Sequence, residues 1–210
     1  DPKEEAKFAE LKDKCRELKV PSPPEIMIGL KVHDKNGVLI FDDVQRGHSW
    51  TRNRWNSLYG WTSGAPGDNT GTFGAGKMSV KITGATIRSS SASTCGGNAY
   101  IAEGRCYRGA IADATQGILV GTGDTAFSVE QYDMETIIAT GNSANQMAYQ
   151  AMPAITNTYS SKTWTATLSR IFNNNSGGSI TVKEIGLMWK SGQPNENMFS
   201  LSSEGVLMER

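Results

Sequence analysis

The segment GTFGAGKM, residues 71–78, has the glycine–glycine–lysine spacing of a phosphate-cradling loop. In such a loop the backbone N–H groups wrap the phosphates, the lysine reaches the terminal phosphate and a following hydroxyl ligates Mg²⁺. Met78 stands where that hydroxyl belongs. A phosphate loop also runs from a strand into a helix, whose N-terminus faces the anion. Here residues 62–77 carry no strand pattern, and Met78, Val80 and Ile82 alternate with Ser79, Lys81 and Thr83 as a strand of period two. The expectation is a glycine-rich loop that contains a lysine, without NTPase activity.

The other reactive side chains form no catalytic set. His33 and His48 are the only histidines, with no G-x-S-x-G elbow and no H-E-x-x-H spacing around them. Asp42-Asp43, and the group Asp124, Glu130, Asp133 and Glu135, offer the carboxylates that glycoside hydrolysis or Ca²⁺ binding would need. The first pair reads as a turn and the second lacks the D-x-D-x-D-G pattern, so both read as solvated loop charge. Cys15, Cys95 and Cys106 make an odd set with no CxxC, which indicates neither a disulfide framework nor a zinc site. Pairing of Cys95 with Cys106 across a loop stays open. No catalytic residue, metal or cofactor is expected.

With 21 basic and 21 acidic residues in 210, the chain lacks the basic excess of a nucleic-acid binder. No apolar run approaches the roughly 20 residues that span a bilayer. The 23 glycines, with dense Ser, Thr and Asn, favour a loop-rich β protein. The sequence opens on Asp1-Pro2 instead of Met and reads as a trimmed piece, so the lack of a visible secretory signal decides nothing.

Residues 1–20 read as a helix, with Asp1 as cap, Pro2 in the first turn and Glu4 and Glu5 at the positive end of the helix dipole. Phe8, Leu11, Cys15 and Leu18 form one narrow apolar stripe on a charged rod. The stripe calls for cover, either by the helix's own domain or by another subunit, which would make residues 1–20 an anchor or oligomerisation segment. Pro21, Pro23 and Pro24 end the helix, and residues 21–25 read as a stiff linker to a domain over 26–210.

In that domain, Ile26, Ile28, Leu30 and Val32 alternate as a strand with one buried face, and "DKNG" turns into a second strand at "VLIF". Residues 49–60 predict a short helix, capped by Ser49, with Trp50, Trp55, Leu58 and Tyr59 near one face. "GILV", "TWTATLSRIF" and "ITVKEIGLMW" read as further strands, the last two as a hairpin around "NNNSGGS". The fold class that follows is mainly β, a jelly-roll-like antiparallel β-sandwich with one short inserted helix. "VLM" at 206–208 reads as the start of a strand that another chain, or a continuation of this one, would complete.

Two stretches, "GILVGTGDTAFSVEQYDMETII" and "WTATLSRIFNNNSGGSITVKEIGLMW", resemble a module of tailed-bacteriophage structural proteins of head-fibre, capsid-decoration or tail-fibre type. The positions that carry the likeness are Val120 to Gly123, Tyr132, Glu135, Phe172, Asn174 to Gly178 and Ile180 to Leu187. The family pattern continues past Arg210 into at least one more strand. The resemblance implies a non-enzymatic protein of the virion, partnered by shell or tail proteins. The apolar stripe of helical residues 1–20 adds the expectation of a homotrimer or of docking on a shell protein, and charge and hydropathy that of no nucleic acid and no membrane. The alternative is a carbohydrate- or host-receptor-binding module of a fibre, presenting Trp61, Tyr100 or Tyr107 to a host-surface glycan. A glycan-degrading enzyme using Asp42 or Asp43 is the third reading.

Overall fold

A computed structural model of the chain describes residues 2–20, 25–47, 51, 54, 77–79, 86–88, 107–128, 130–189 and 206–209. These residues form a mainly β protein with antiparallel sheets and one long helix, in two compact units, 1–47 and 48–210. The first hairpin groups with the helix in unit 1, whereas the sequence reading attaches it to the later strands.

In unit 1, α1 spans Pro2–Glu17. Proline suits the first helical position because its missing N–H would be unpaired there anyway. Glu10 with Lys14 (2.6 Å) and Asp13 with Arg16 (2.7 Å) make ion pairs along its surface. The helix stops in a Schellman turn: Val20 N–H donates to Cys15 O and Lys19 N–H to Arg16 O. Lys19 takes φ 55°, the left-handed position usually given to glycine.

The strands β1 (Met27–His33) and β2 (Leu39–Arg46) pair antiparallel. Asp34 builds their turn. Its carboxylate accepts from the amides of Asn36 and Val38 at 2.8 Å each, and Gly37 supplies φ 80°. The Val38 amide, first among these donors, holds the Asp34 carboxyl below its ordinary range. The register slips between Val32 and His33, so that Ile40 falls outside the paired ladder. β2 is longer than the sequence suggests, and Asp42-Asp43 lie inside it rather than at a turn.

Unit 2 contains the short antiparallel pair β3 (Lys77–Ser79) and β4 (Thr86–Arg88). Lys77 thus enters a strand, whereas the sequence reading keeps it in the glycine-rich loop and starts the strand at Met78; Val80 to Ile82 lie outside the described residues. Next come β5 (Gly117–Gly121), β6 (Ala148–Tyr149), β7 (Thr156–Ser160), β8 (Thr163–Thr167), β9 (Phe172–Asn173), β10 (Glu184–Trp189) and β11 (Val206–Glu209). The central sheet is ordered β11-β10-β5, β6 pairs with β9, and β7 pairs with β8. Residues 206–209 therefore form a strand that pairs with β10 within this chain, and among the described residues β11 is the outer strand of that sheet.

The expected hairpin between "TWTATLSRIF" and "ITVKEIGLMW" does not form. β8 pairs with β7, β9 with β6, and β10 with β5 and β11. The reason lies in the residues that separate β8 from β9. Arg170, 9% exposed, turns inward and its guanidinium donates to five backbone carbonyls: Ala110, Asp113, Gln116, Ile118 and Gln150, at 2.7–3.0 Å. A buried cation requires such a set of acceptors, and no continuous strand through 163–172 would supply it.

The core sits beside this hub. Leu119, Val120, Met134, Ile138, Tyr149 and Met188 are buried together, with Phe172, Ile180, Val182 and Ile185 packed against them. Tyr149 meets Phe172 edge to face at 4.9 Å and donates its hydroxyl to Ile138 O (2.7 Å) and Val120 O (3.2 Å). Burial pushes the Tyr149 phenol pKa upward, so the hydroxyl remains a donor.

Candidate functional site

The helix stripe divides into a docked part and an open part. Phe8 is half-buried beneath Arg46, whose guanidinium carbon lies 3.9 Å from the ring centroid. The same guanidinium clasps Glu5 with two hydrogen bonds, of 2.8 and 3.1 Å, and Glu25 with one of 2.7 Å. Lys12 pairs with Glu25 and lies over the Phe8 ring. The Arg46 donor holds the Glu5 carboxyl below its ordinary value, and Glu5 in turn raises Arg46. This clasp fixes α1 to the open end of the hairpin. Cys15 is half-buried with a free thiol, whereas Leu11 (45%) and Leu18 (73%) stay exposed.

The hairpin itself is patterned for burial yet exposed. Alternation puts Ile28, Leu30 and Val32 on one face, opposite Gln45, Asp43 and Phe41. Leu30, Val32 and Phe41 remain 38–49% exposed. The strand alternates as the sequence predicts, but the face expected to be buried lies open. The other face holds Met27, Val44 and Leu39, exposed too, together with an ion pair of 3.4 Å between Lys31 and Asp42. Asp42 and Asp43 thus point to opposite faces, so they cannot flank one scissile bond as a carboxylate pair must.

The polar constellations of unit 2 serve the fold. Glu184, 3% exposed, accepts from the amides of Glu135 (3.0 Å) and Thr136 (3.4 Å). A Cβ at Gly121 or at Gly123 would fall 2.7 Å from its carboxylate. The glycines of V-G-T-G therefore give Glu184 room to reach the neighbouring segment. Glu135 accepts from the Thr125 hydroxyl (2.6 Å) and from the amides of Thr125 and Asp124. These donors, the hydroxyl foremost, hold its carboxyl below the ordinary value. Asp124 pairs with Lys183 at 2.7 Å. Asp133 accepts from the Met134 amide, so Asp124, Glu135 and Asp133 are each drawn into a local bond of their own. Among the described residues no group of three or more His, Cys, Asp or Glu could hold a metal ion, and no described helix is long and apolar enough to cross a membrane.

His33 ends β1. Tyr107 is half-buried and accepts from Arg54 at 3.0 Å, which removes it from the exposed aromatics. His48, Trp61, Cys95, Tyr100, Cys106 and the helix over 49–60, apart from Thr51 and Arg54, lie outside the described residues. No known protein family, curated protein or solved structure matches the chain.

Sequence reasoning finds β8 within "TWTATLSRIF" but overlooks β7, and with it the β7–β8 pairing. Tyr159 and Trp164 pair directly across this hairpin, 71% and 65% exposed. Their shared face also carries Asn157 and Ala166, while Thr156, Thr158, Ser160, Thr163, Thr165 and Thr167 line the other. The two-residue turn, Ser161 and Lys162, has φ 49° and 65°, both positive as a type I′ turn demands. The signal was present in the alternation of threonine with aromatic residues, but it contains too little apolar character to read as a buried face.

Proposed function

We propose that the chain is a non-enzymatic structural subunit of a tailed-bacteriophage virion, a capsid-decoration, head-fibre or tail-associated protein. It works by burying surface against neighbouring subunits. The observation that carries this reading is the β1–β2 hairpin, whose alternating apolar face is open. A two-stranded sheet by itself is marginal in water. Full burial of a large apolar side chain stabilises by about 1.5–3 kcal/mol, so covering half-exposed Leu30, Val32 and Phe41 contributes roughly 1 kcal/mol each. Leu11 and Leu18 on α1 extend the same demand for cover.

The virion assignment draws on the bacteriophage pattern, some of whose positions meet in the fold: Gly121 and Gly123 lie against Glu184, and Glu184 accepts from the Glu135 amide. The natural assembly is a homotrimer docked on shell or tail proteins, with unit 2 as a jelly-roll-like sandwich carrying the short inserted helix. A glycan- or receptor-binding module is the second reading, favoured by the exposed Tyr159 and Trp164, and it is compatible with a structural role.

The test is the mass of the chain in solution. The expected result is a trimer that dissociates in Leu30→Asp and Phe41→Asp, with unit 2 still folded. A monomeric wild-type chain with an intact hairpin at micromolar concentration would falsify this assembly.

A further inference from the structure

We propose that the β7–β8 hairpin is a binding platform for a neutral glycan, with Tyr159 and Trp164 as the stacking surface. The pair stands one step from the turn, next to the closing pair Ser160 and Thr163. In a two-residue hairpin that step is a non-hydrogen-bonded pair, where opposing side chains stand closest. Both rings keep most of their surface in solvent, at 71% and 65% exposure. Asn157 and Ala166 are the next pair on the same face, a carboxamide that both donates and accepts beside a side chain too small to cover the indole.

Size and charge decide the occupant. A stable protein interface buries about 800 Å² on each partner. Two aromatic side chains of about 150–250 Å² each fall well short, and the threonine-lined opposite face adds no apolar area. One or two pyranose rings fit. A pyranose presents an apolar C–H face that stacks on an aromatic ring, and a rim of hydroxyls that Asn157 can bond. Nucleic-acid bases also stack on aromatic rings, but they require a cationic groove along the backbone. Between Thr156 and Thr167 the only charged residue is Lys162, at the turn, and the whole chain has a formal net charge of zero. The unit 1 hairpin contrasts, since its open faces are mostly aliphatic, carry charged residues as well and are more extensive. The glycan platform therefore does not depend on the assembly proposed above.

The experiment uses the full chain and a panel of uncharged hexose and N-acetylhexosamine oligosaccharides, with the indole N–H resonances followed by NMR. Saturable binding of at least one oligosaccharide, shifting the Trp164 resonance, is expected. Trp164→Thr and Tyr159→Thr, which keep a β-forming residue, should each weaken it by at least about tenfold, whereas Thr158→Ala on the opposite face should leave it unchanged. Four outcomes overturn the proposal. The panel fails to bind; binding persists in both aromatic variants; single-stranded DNA binds the hairpin in preference to the sugars; or Trp164→Thr lowers the oligomeric mass, making the pair a contact between copies.

Discussion

Arg46 lies over the ring of Phe8 while its guanidinium holds Glu5, so one side chain at the end of β2 receives both a charge and a hydrophobe from a single face of α1. Position 8 on a helix stands next to position 5, and an arginine is flat enough to stack and fork at once. Arg46→Ala should release the helix. Amide exchange across residues 5–17 is expected to accelerate, with exchange in unit 2 unaffected. Arg46→Lys should restore little, because an ammonium offers no planar fork. Unchanged protection of the helix in Arg46→Ala would dispose of the clasp.

Arg170 is expected to be the most sensitive polar position of unit 2. Arg170→Met removes a charged donor from five carbonyls, of which Ala110 O keeps the Asp113 amide, and each lost bond of this kind costs about 1–3 kcal/mol, so a loss of at least about 3 kcal/mol should appear in urea unfolding. Leu119→Ala should cost about 2–5 kcal/mol. A Met variant weaker by less than about 1 kcal/mol would show that the carbonyls find other donors.

Gly123→Ala sets a methyl group 2.7 Å from the Glu184 carboxylate and 2.5 Å from the Glu135 Cβ. Overpacking of this kind costs about 1–3 kcal/mol. Combined with Glu184→Ala, the penalty should shrink, since one of the opposing groups is gone. A double-mutant cycle in urea measures the coupling. Strict additivity would mean that the glycine is there for some other reason.

The Glu135 carboxyl should titrate below its ordinary 4.5, because the Thr125 hydroxyl and the amides of Thr125 and Asp124 favour the charged form. A carboxylate depressed by folding adds stability that is fully present above 4.5 and lost as pH falls through the lower, folded value. The Asp124 and Thr125 amide shifts should follow the same titration by NMR, and Glu135→Gln should remove that dependence. A midpoint at or above 4.5 for Glu135 contradicts the bonding described.

Local chemistry made some of this legible in the sequence. Pro2 and the acidic first turn announce α1, Asp34 and Gly37 announce the first turn, and Asn174 with Gly177 announces another, where Asn174 accepts from Ser176 and Gly177 takes φ 77°. Alternation at Ile28, Leu30 and Val32 shows that a face is built for burial, but periodicity does not say what buries it. The partners of Arg170 lie up to 60 residues away, so nothing near it marks the break between β8 and β9. β7, and so the β7–β8 pairing, escapes notice because its threonines carry β preference without hydrophobicity.

The reach of Arg170 also sets an order of events. Its bonds span 20, 52, 54, 57 and 60 residues, and closing loops of that length is entropically slow compared with zipping the β1–β2 hairpin across residues 34–38. A guanidinium does not leave water until most of its acceptors are gathered, so unit 2 should close in one late, concerted step. During synthesis the exposed apolar faces of unit 1 would thus emerge and form well before unit 2 is complete. In the assembly proposed above, neighbouring chains growing on the same message would meet through unit 1 first, and mature while already joined.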